Sequence, residues 1–403
     1  MYVKPTDEIT FSDVAAFIQE KNRENIILDY KGDWPRNLAK VIAAMANTQG
    51  GLIFIGVTEE NNSGRPEDVV GVDLGRGEDQ LRQRVISTAF QGIYPPVMPE
   101  VGACLLDSDP SRAVVIIRVV PSDRTPHAVD NRTKIYVRVD SQTVPYERLA
   151  ALNELEWLWD RRRLAIENRD ALVEAAMERA AWMLEPPVDI DEPSVLRVWV
   201  VPYFYSGEEA LSPGIAQSLV SSRRVSSGVL GGWTFPNFAR RSRSVPGGYC
   251  IYSSGDLEIE YDELGTSGLL FSELKLCEVH EQTGWKQLHI GLILNQIDGL
   301  LGFASLAYEQ GQVWGLLQVQ ASLHHVQGAI LYGGVEERRG QRTLDLRRSP
   351  NAVVRILDET IDKRALEVTR PNLVKQATRT LLWAFGHAWD EAAFEQWYSE
   401  ILR

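Results

Sequence analysis

Cysteine is scarce in this chain of 403 residues: Cys104, Cys250 and Cys277 are an odd number and lie far apart. No disulfide framework is legible from them. Six histidines are scattered, and only Cys277-x-x-His280 has ligand-like spacing. With no second pair, that spacing argues against zinc. No unbroken apolar run reaches the roughly 18 residues of a membrane span. The opening "MYVKPTDEITF" lacks the basic-then-apolar pattern of a signal peptide, so a cytoplasmic, membrane-free protein is expected. There is no G-x-S-x-G, and no glycine-rich stretch leads into GK[ST]. Neither a hydrolase-type nucleophile elbow nor a nucleotide cofactor is supported.

Positive charge is also short. The net charge is −13, which excludes a chain that coats nucleic acid nonspecifically. The first 150 residues hold 17 Lys+Arg against 21 Asp+Glu, or −4, and the remaining 253 hold 25 against 34, or −9. Any nucleic-acid contact must be a local patch, and the first part is where to seek it.

The patterning there is a short amphipathic helix over 9–21, the strand "NIILDY", and a helix in "GDWPRNLAKVIAAMAN". In that helix Asp33 can cap, Pro35 suits the first turn, and Leu38, Val41, Ile42 and Met45 repeat at helical spacing. "TQGG" ends the helix before a buried strand, "LIFIGV". A helix near 78–90 and strands at 113–120 and 134–139 complete an α+β domain over 1–147. Residues 148–187 read as a helical connector in which Leu149, Leu152, Leu155 and Leu158 step by three beside Trp157 and Trp159. Residues 188–403 read as a second α+β domain with an aromatic helical tail carrying Trp383, Trp389 and Trp397.

Asp29 and Lys31, two apart on a strand, project from one face. A carboxylate beside an ammonium can serve a phosphodiester-cutting site, or be a plain ion pair. Glu24 joins them only if it precedes the strand at a bend, because five residues along a strand it points the other way. Glu59 and Glu60 follow "LIFIGV" and come near Asp29 only if that strand pairs beside "NIILDY"; otherwise they are solvated loop charges. In "NRTKIYVRVD", Lys134, Tyr136 and Arg138 share a face, which suits phosphates and stacked bases or is simply the wet side of a strand. Arg223, Arg224, Arg240, Arg241 and Arg243 read as exposed loop residues.

Taken together, "ENIILDYKG", "AAMANTQGGLIFIGVTEEN", "VVGVD" and "TPHAVDNRTKIYVRVDSQTV" resemble the Schlafen-type AlbA-like domain over roughly residues 20–145. The resemblance implies a nucleic-acid-binding domain, with RNA favoured, and a metal-dependent endoribonuclease acting on transfer or other structured RNA. It implies that Glu24, Asp29 and Glu59 hold Mg²⁺ or Mn²⁺ and that Lys31 serves the same site. Asp29 stands where glutamate is usual, Glu59 where aspartate is usual, and Asp140 where glycine is common. A role in stress response or antiphage defence belongs to the same implication. The rival is a DNA-binding regulator without catalysis, with the C-terminal domain as sensor; a third reading makes the acids purely structural. One AlbA-like half supplies one wall of a groove, so a homodimer or larger assembly is expected.

Overall fold

The computed structural model describes residues 4, 6–60, 63–139, 146–184, 192–205, 207, 209–227, 234–236, 241–254, 259–276, 278–280, 283–311, 313, 315–332, 347–387 and 390–401. Asp140, Arg240, Cys277 and Trp389 of the motifs above lie outside the described residues. The chain is α+β throughout and divides into two units, Met1–Leu164 and Ala165–Arg403.

The first unit runs α1 (Phe11–Gln19), β1 (Leu28–Lys31), α2 (Leu38–Asn47), β2 (Gly51–Ile55), β3 (Val57–Glu59), β4 (Pro66–Val69), β5 (Val72–Asp73), α3 (Glu78–Gly92), β6 (Glu100–Leu106), β7 (Asp109–Val119), β8 (Ala128–Val129), β9 (Lys134–Val139) and β10 (Tyr146–Leu149). A helix, α4 (Leu152–Met183), follows and runs through the expected helical connector as one element. The Arg161–Arg163 run sits inside it because nothing there breaks a helix.

Strand β2 is apolar at every position because both faces of its sheet are covered. Ile53 and Ile55 pack with Ile117 under α2 and α3, while Leu52 and Phe54 pack with Ile116 under α1. Helix α1 buries Val14, Phe17 and Ile18 and is started by a reciprocal Thr10–Asp13 capping box. Strands β1 and β2 are parallel, with Asp29 beside Ile53 and Lys31 beside Ile55, and α2 is the crossover between them. Helix α2 starts at Leu38 with no side-chain cap, later than Asp33 and Pro35 suggest. Asp33 instead accepts a hydrogen bond from the Trp34 N–H at 2.7 Å.

The "ANTQGG" segment has a structural reason. Asn47 is fully buried; its amide donates to the carbonyls of His127 (2.9 Å) and Tyr136 (2.8 Å) and accepts from the His127 N–H (2.8 Å). Gly51, at φ +146°, passes so close to Ile27 that a Cβ would lie 2.3 Å from its carbonyl oxygen. The asparagine clamps β8 and β9 to α2, and the glycine lets the chain turn into β2. Asn47→Ala leaves one buried donor and two buried acceptors without that partner, at about 1–3 kcal/mol for each group stranded. A loss of about 3 kcal/mol in urea unfolding is expected. A change below about 1 kcal/mol would show that the clamp is dispensable.

The second unit contains β11 (Ser194–Pro202), α5 (Pro213–Ser222), β12 (Val225–Ser226), β13 (Thr234–Phe235), β14 (Arg241–Val245), β15 (Gly248–Ser254), β16 (Ile259–Gly265), β17 (Leu270–Leu276), β18 (Gln287–His289), α6 (Ile290–Gln310), β19 (Leu316–His324), β20 (Ile330–Tyr332), β21 (Val353–Asp362), α7 (Leu366–Ala384) and α8 (Glu391–Ile401). Seven of its strands form an antiparallel sheet in the order β14-β15-β16-β17-β11-β19-β21. Its main core gathers around α6.

Helix α6 is long and apolar enough by composition to span a membrane, although no unbroken apolar run in it reaches that length. Asn295, Gln296 and Asp298 break its apolar run, yet all three are buried and hydrogen-bonded. With 83% of its most apolar window buried, α6 is placed as the core helix of this unit.

Candidate nucleic-acid interface and acid site

Strand β1 proper begins at Leu28, and a bridge between Asn25 and Leu28 bends the chain just before it. Glu24 therefore lies outside the strand and meets the condition set by its spacing. Its Oε1 accepts the Tyr30 N–H at 2.6 Å. Pairing of β1 with β2 then brings the β3–β4 hairpin, and Glu59 with it, to the same end. Gly64, between β3 and β4, ties the two acid segments. Its carbonyl accepts the Glu24 N–H at 2.6 Å, and its own N–H donates to the Glu59 carboxylate.

Lys31 stands among these acids. Its Nζ is 2.8 Å from Asp29 Oδ2 and 3.7 Å from Glu24 Oε1. Glu24 and Asp29 are only 4% and 3% exposed, whereas the Lys31 side chain is 27% exposed. Burial, reinforced by Asp29, pushes the Glu24 carboxyl up to about 7, although Lys31 and the Tyr30 N–H pull the other way. Burial raises Glu59 as well; Lys31 opposes the rise and Asp29 adds to it. Burial works against the Lys31 ammonium, but Asp29 and Glu24 outweigh it and hold its pKa above the usual value.

Arg138 corrects the expectation of a wet basic stripe. Its side chain is fully buried, because α2 and β10 enclose strand β9. It donates to Asp29 Oδ1 at 2.6 Å and to Glu147 Oε1 at 2.8 Å, with Glu147 directly opposite it in the β9–β10 register. Glu147 in turn meets Lys40 at 3.5 Å, and Lys40 lies over the Tyr136 ring at 4.9 Å from its centroid. Tyr136 packs against the core under α2. Only Lys134 is exposed, paired with Asp130 at 3.1 Å. A lysine-to-acid relay thus runs from Lys40 to Lys31 through Glu147, Arg138 and Asp29. Sequence reasoning missed Glu147 and Lys40. The signal was a glutamate alternating into the short strand "YERL" after a basic one.

Asp29 decides whether the acids fit a shared divalent cation. Arg138 holds its Oδ1, and its buried Oδ2 has the Lys31 ammonium and no other partner among the described residues. No three His, Cys, Asp or Glu side chains among the described residues are grouped to hold one metal ion. With Lys31 where it stands, the expected Glu24, Asp29 and Glu59 ligand set does not fit Mg²⁺ or Mn²⁺, because an ammonium already occupies the space between two of its members.

The model of the family described as Schlafen, AlbA_2 matches residues 21–147. No curated protein matches the chain. Among solved structures, the chain is similar to the DIP2311 protein from Corynebacterium diphtheriae, with 16% identity and a TM-score of 0.26. That match covers 56% of this chain and 50% of that one, so the likeness spans about half the length of the relative, and it is too loose to bear on the fold. The family match covers the strands and helices that build the acid site and points to a nucleic-acid-related function. Residues 21–147 match the family described as Schlafen, AlbA_2, and this stretch of the chain is a Schlafen-type AlbA-like domain.

Proposed function

We propose that the N-terminal unit binds RNA and cleaves its phosphodiester backbone at the Lys31 site. One observation carries this reading: a partly exposed ammonium bridges two buried carboxylates at the open end of β1. An incoming phosphate draws Lys31 outward, which uncovers Glu24 and Asp29. Water adds to phosphorus and gives its proton to a carboxylate of the site. The phosphorus–oxygen bond to the leaving nucleoside breaks, and that oxygen takes up a proton from the half-buried Glu59 carboxyl or from water. The near-complete burial of Glu24 and Asp29 favours a second reading, a DNA-binding regulator in which the network only holds the fold. The exposed Leu152, Trp157 and Trp159 on α4 support the expected association with a second copy of the chain; Leu158 does not contribute, being buried.

Incubation of the full chain with a transfer-RNA pool, in Mn²⁺, in Mg²⁺ and in chelator, tests the proposal. Cleavage by wild type is expected, with a loss of about 100-fold or more in Glu24→Gln and Lys31→Met, the scale for removing a proton-transfer or charge-stabilising group. Intact RNA in every condition, with DNA bound, would favour the regulator.

A further inference from the structure

Around the packing contact between α2 and α3, cations lie over aromatic rings in three places. Arg84 stacks on Trp34 at 4.1 Å from the ring centroid, Arg132 on Tyr94 at 4.0 Å, and Lys40 on Tyr136 at 4.9 Å. The α2–α3 contact links the segments that carry these pairs. Gly92, at the end of α3, approaches Ala39 of α2 so closely that a Cβ on it would lie 2.9 Å from the Ala39 Cβ. Lys40 follows Ala39 in the chain, Tyr94 follows shortly after Gly92, and Tyr94 exchanges both backbone hydrogen bonds with Ala128 beside β9.

Charge sets this surface apart. The chain carries 55 Asp+Glu against 42 Lys+Arg, so an exposed arginine readily finds a carboxylate. Arg84 and Arg132 are exposed, and among the described residues neither pairs with one. A turn of three successive left-handed residues without glycine, Asp130, Asn131 and Arg132 at φ +51°, +58° and +67°, sets Arg132 in place. Backbone of this kind is held only where its surroundings fix it. A guanidinium held over a ring can offer its other side outward as a cationic surface, and a nucleobase stacks on such a surface. Bases inside a duplex cannot reach it, whereas unpaired ones can.

We propose that Arg84 on Trp34 and Arg132 on Tyr94 form a stacking platform for an unpaired stretch of nucleic acid leading to the acid site. Trp34 lies three residues beyond Lys31 in the chain, which joins the platform to the segment that carries the acid site. The platform rests on the reading that this unit binds nucleic acid, and it names the form bound.

Fluorescence anisotropy of the full chain in chelator tests it, using a labelled unstructured RNA of about 20 nucleotides, the same sequence in DNA, and the corresponding duplex. Wild type is expected to bind the single strands at least about tenfold tighter than the duplex. Arg84→Ala/Arg132→Ala should weaken single-strand binding about tenfold or more and lower the salt slope by about 1.4, from roughly 0.7 for each charge removed. Tyr94→Ala should weaken it about 5- to 100-fold with a smaller change in slope. Arg355→Ala, in the second unit, should leave binding unchanged. Circular dichroism melting confirms folding, and Arg84→Glu/Arg132→Glu, which keeps long surface side chains, should abolish binding if the platform is real. Tight wild-type binding that the double variants leave intact, or a preference for duplex, overturns the platform while the nucleic-acid reading stands. Binding of polyglutamate in place of every nucleic acid overturns both.

Discussion

Arg138→Met is expected to lower the stability of the N-terminal unit by about 3–5 kcal/mol, the scale for removing one member of a buried ion pair. The guanidinium contacts two carboxylates and also donates to the carbonyls of Leu28 (3.2 Å) and Asn25 (3.3 Å). It thereby joins β9 to the start of β1 as well as neutralising Asp29. Without it, among the described residues, Asp29 keeps only Lys31 and Glu147 keeps only Lys40 as charged partners. Asp29→Leu/Arg138→Met should recover part of the loss, because it removes the buried Asp29 charge together with its guanidinium, while Glu147 keeps Lys40 and Lys31 keeps Glu24. Urea unfolding measures both variants. A single variant within about 1 kcal/mol of wild type would mean that Arg138 is not a structural tie and would restore it to the list of ligand contacts.

Glu24 predicts an unusual pH profile. Its folded carboxyl holds a proton up to about pH 7, whereas the unfolded one releases it near 4.5. Folding therefore takes up a proton between those values. Stability is greatest below about 4.5 as far as this group is concerned, falls as pH rises through the window, and levels off above about 7. Across the whole window the fall amounts to about 3 kcal/mol. Glu24→Gln keeps an acceptor for the Tyr30 N–H and removes the charge. At about pH 8, beyond the window, it should be more stable than wild type by about 1–3 kcal/mol, with the slope between about pH 5 and 7 reduced. Superimposable urea midpoints for the two proteins across that range would show that Glu24 holds no proton there. An acid kept at such expense to stability is what a working site retains.

Much of this arrangement was legible. The strands at 113–120 and 134–139 and the helix ahead of "LIFIGV" followed from periodicity, and spacing set a bend as the condition for Glu24, because those features are local. Arg138 was misplaced for the opposite reason. Alternation along β9 puts Lys134, Tyr136 and Arg138 on one face, but it cannot say that α2 comes back over that face. Nor does the sequence pattern show that Glu147 faces Arg138, since the register of β10 depends on the chain between the two strands. The platform rings were equally hidden: Trp34 and Arg84 are far apart in the chain and meet only once α2 packs on α3.

Helix α6 bears on how the protein is made. The residues that share its core include Leu317, Val319, Ala321 and Leu323, the α7 residues Leu366, Leu373 and Leu382, and Phe394 and Tyr398. Roughly 80–90 residues must therefore be synthesised after α6 before its surface is closed, which takes about 4–18 s at roughly 5–20 residues per second. For that interval the ribosome presents a helix that length and apolarity suit to a bilayer. Successful production of the chain then depends on α6 meeting β11 and β16–β17, which are made before it, faster than it meets a membrane or a chaperone.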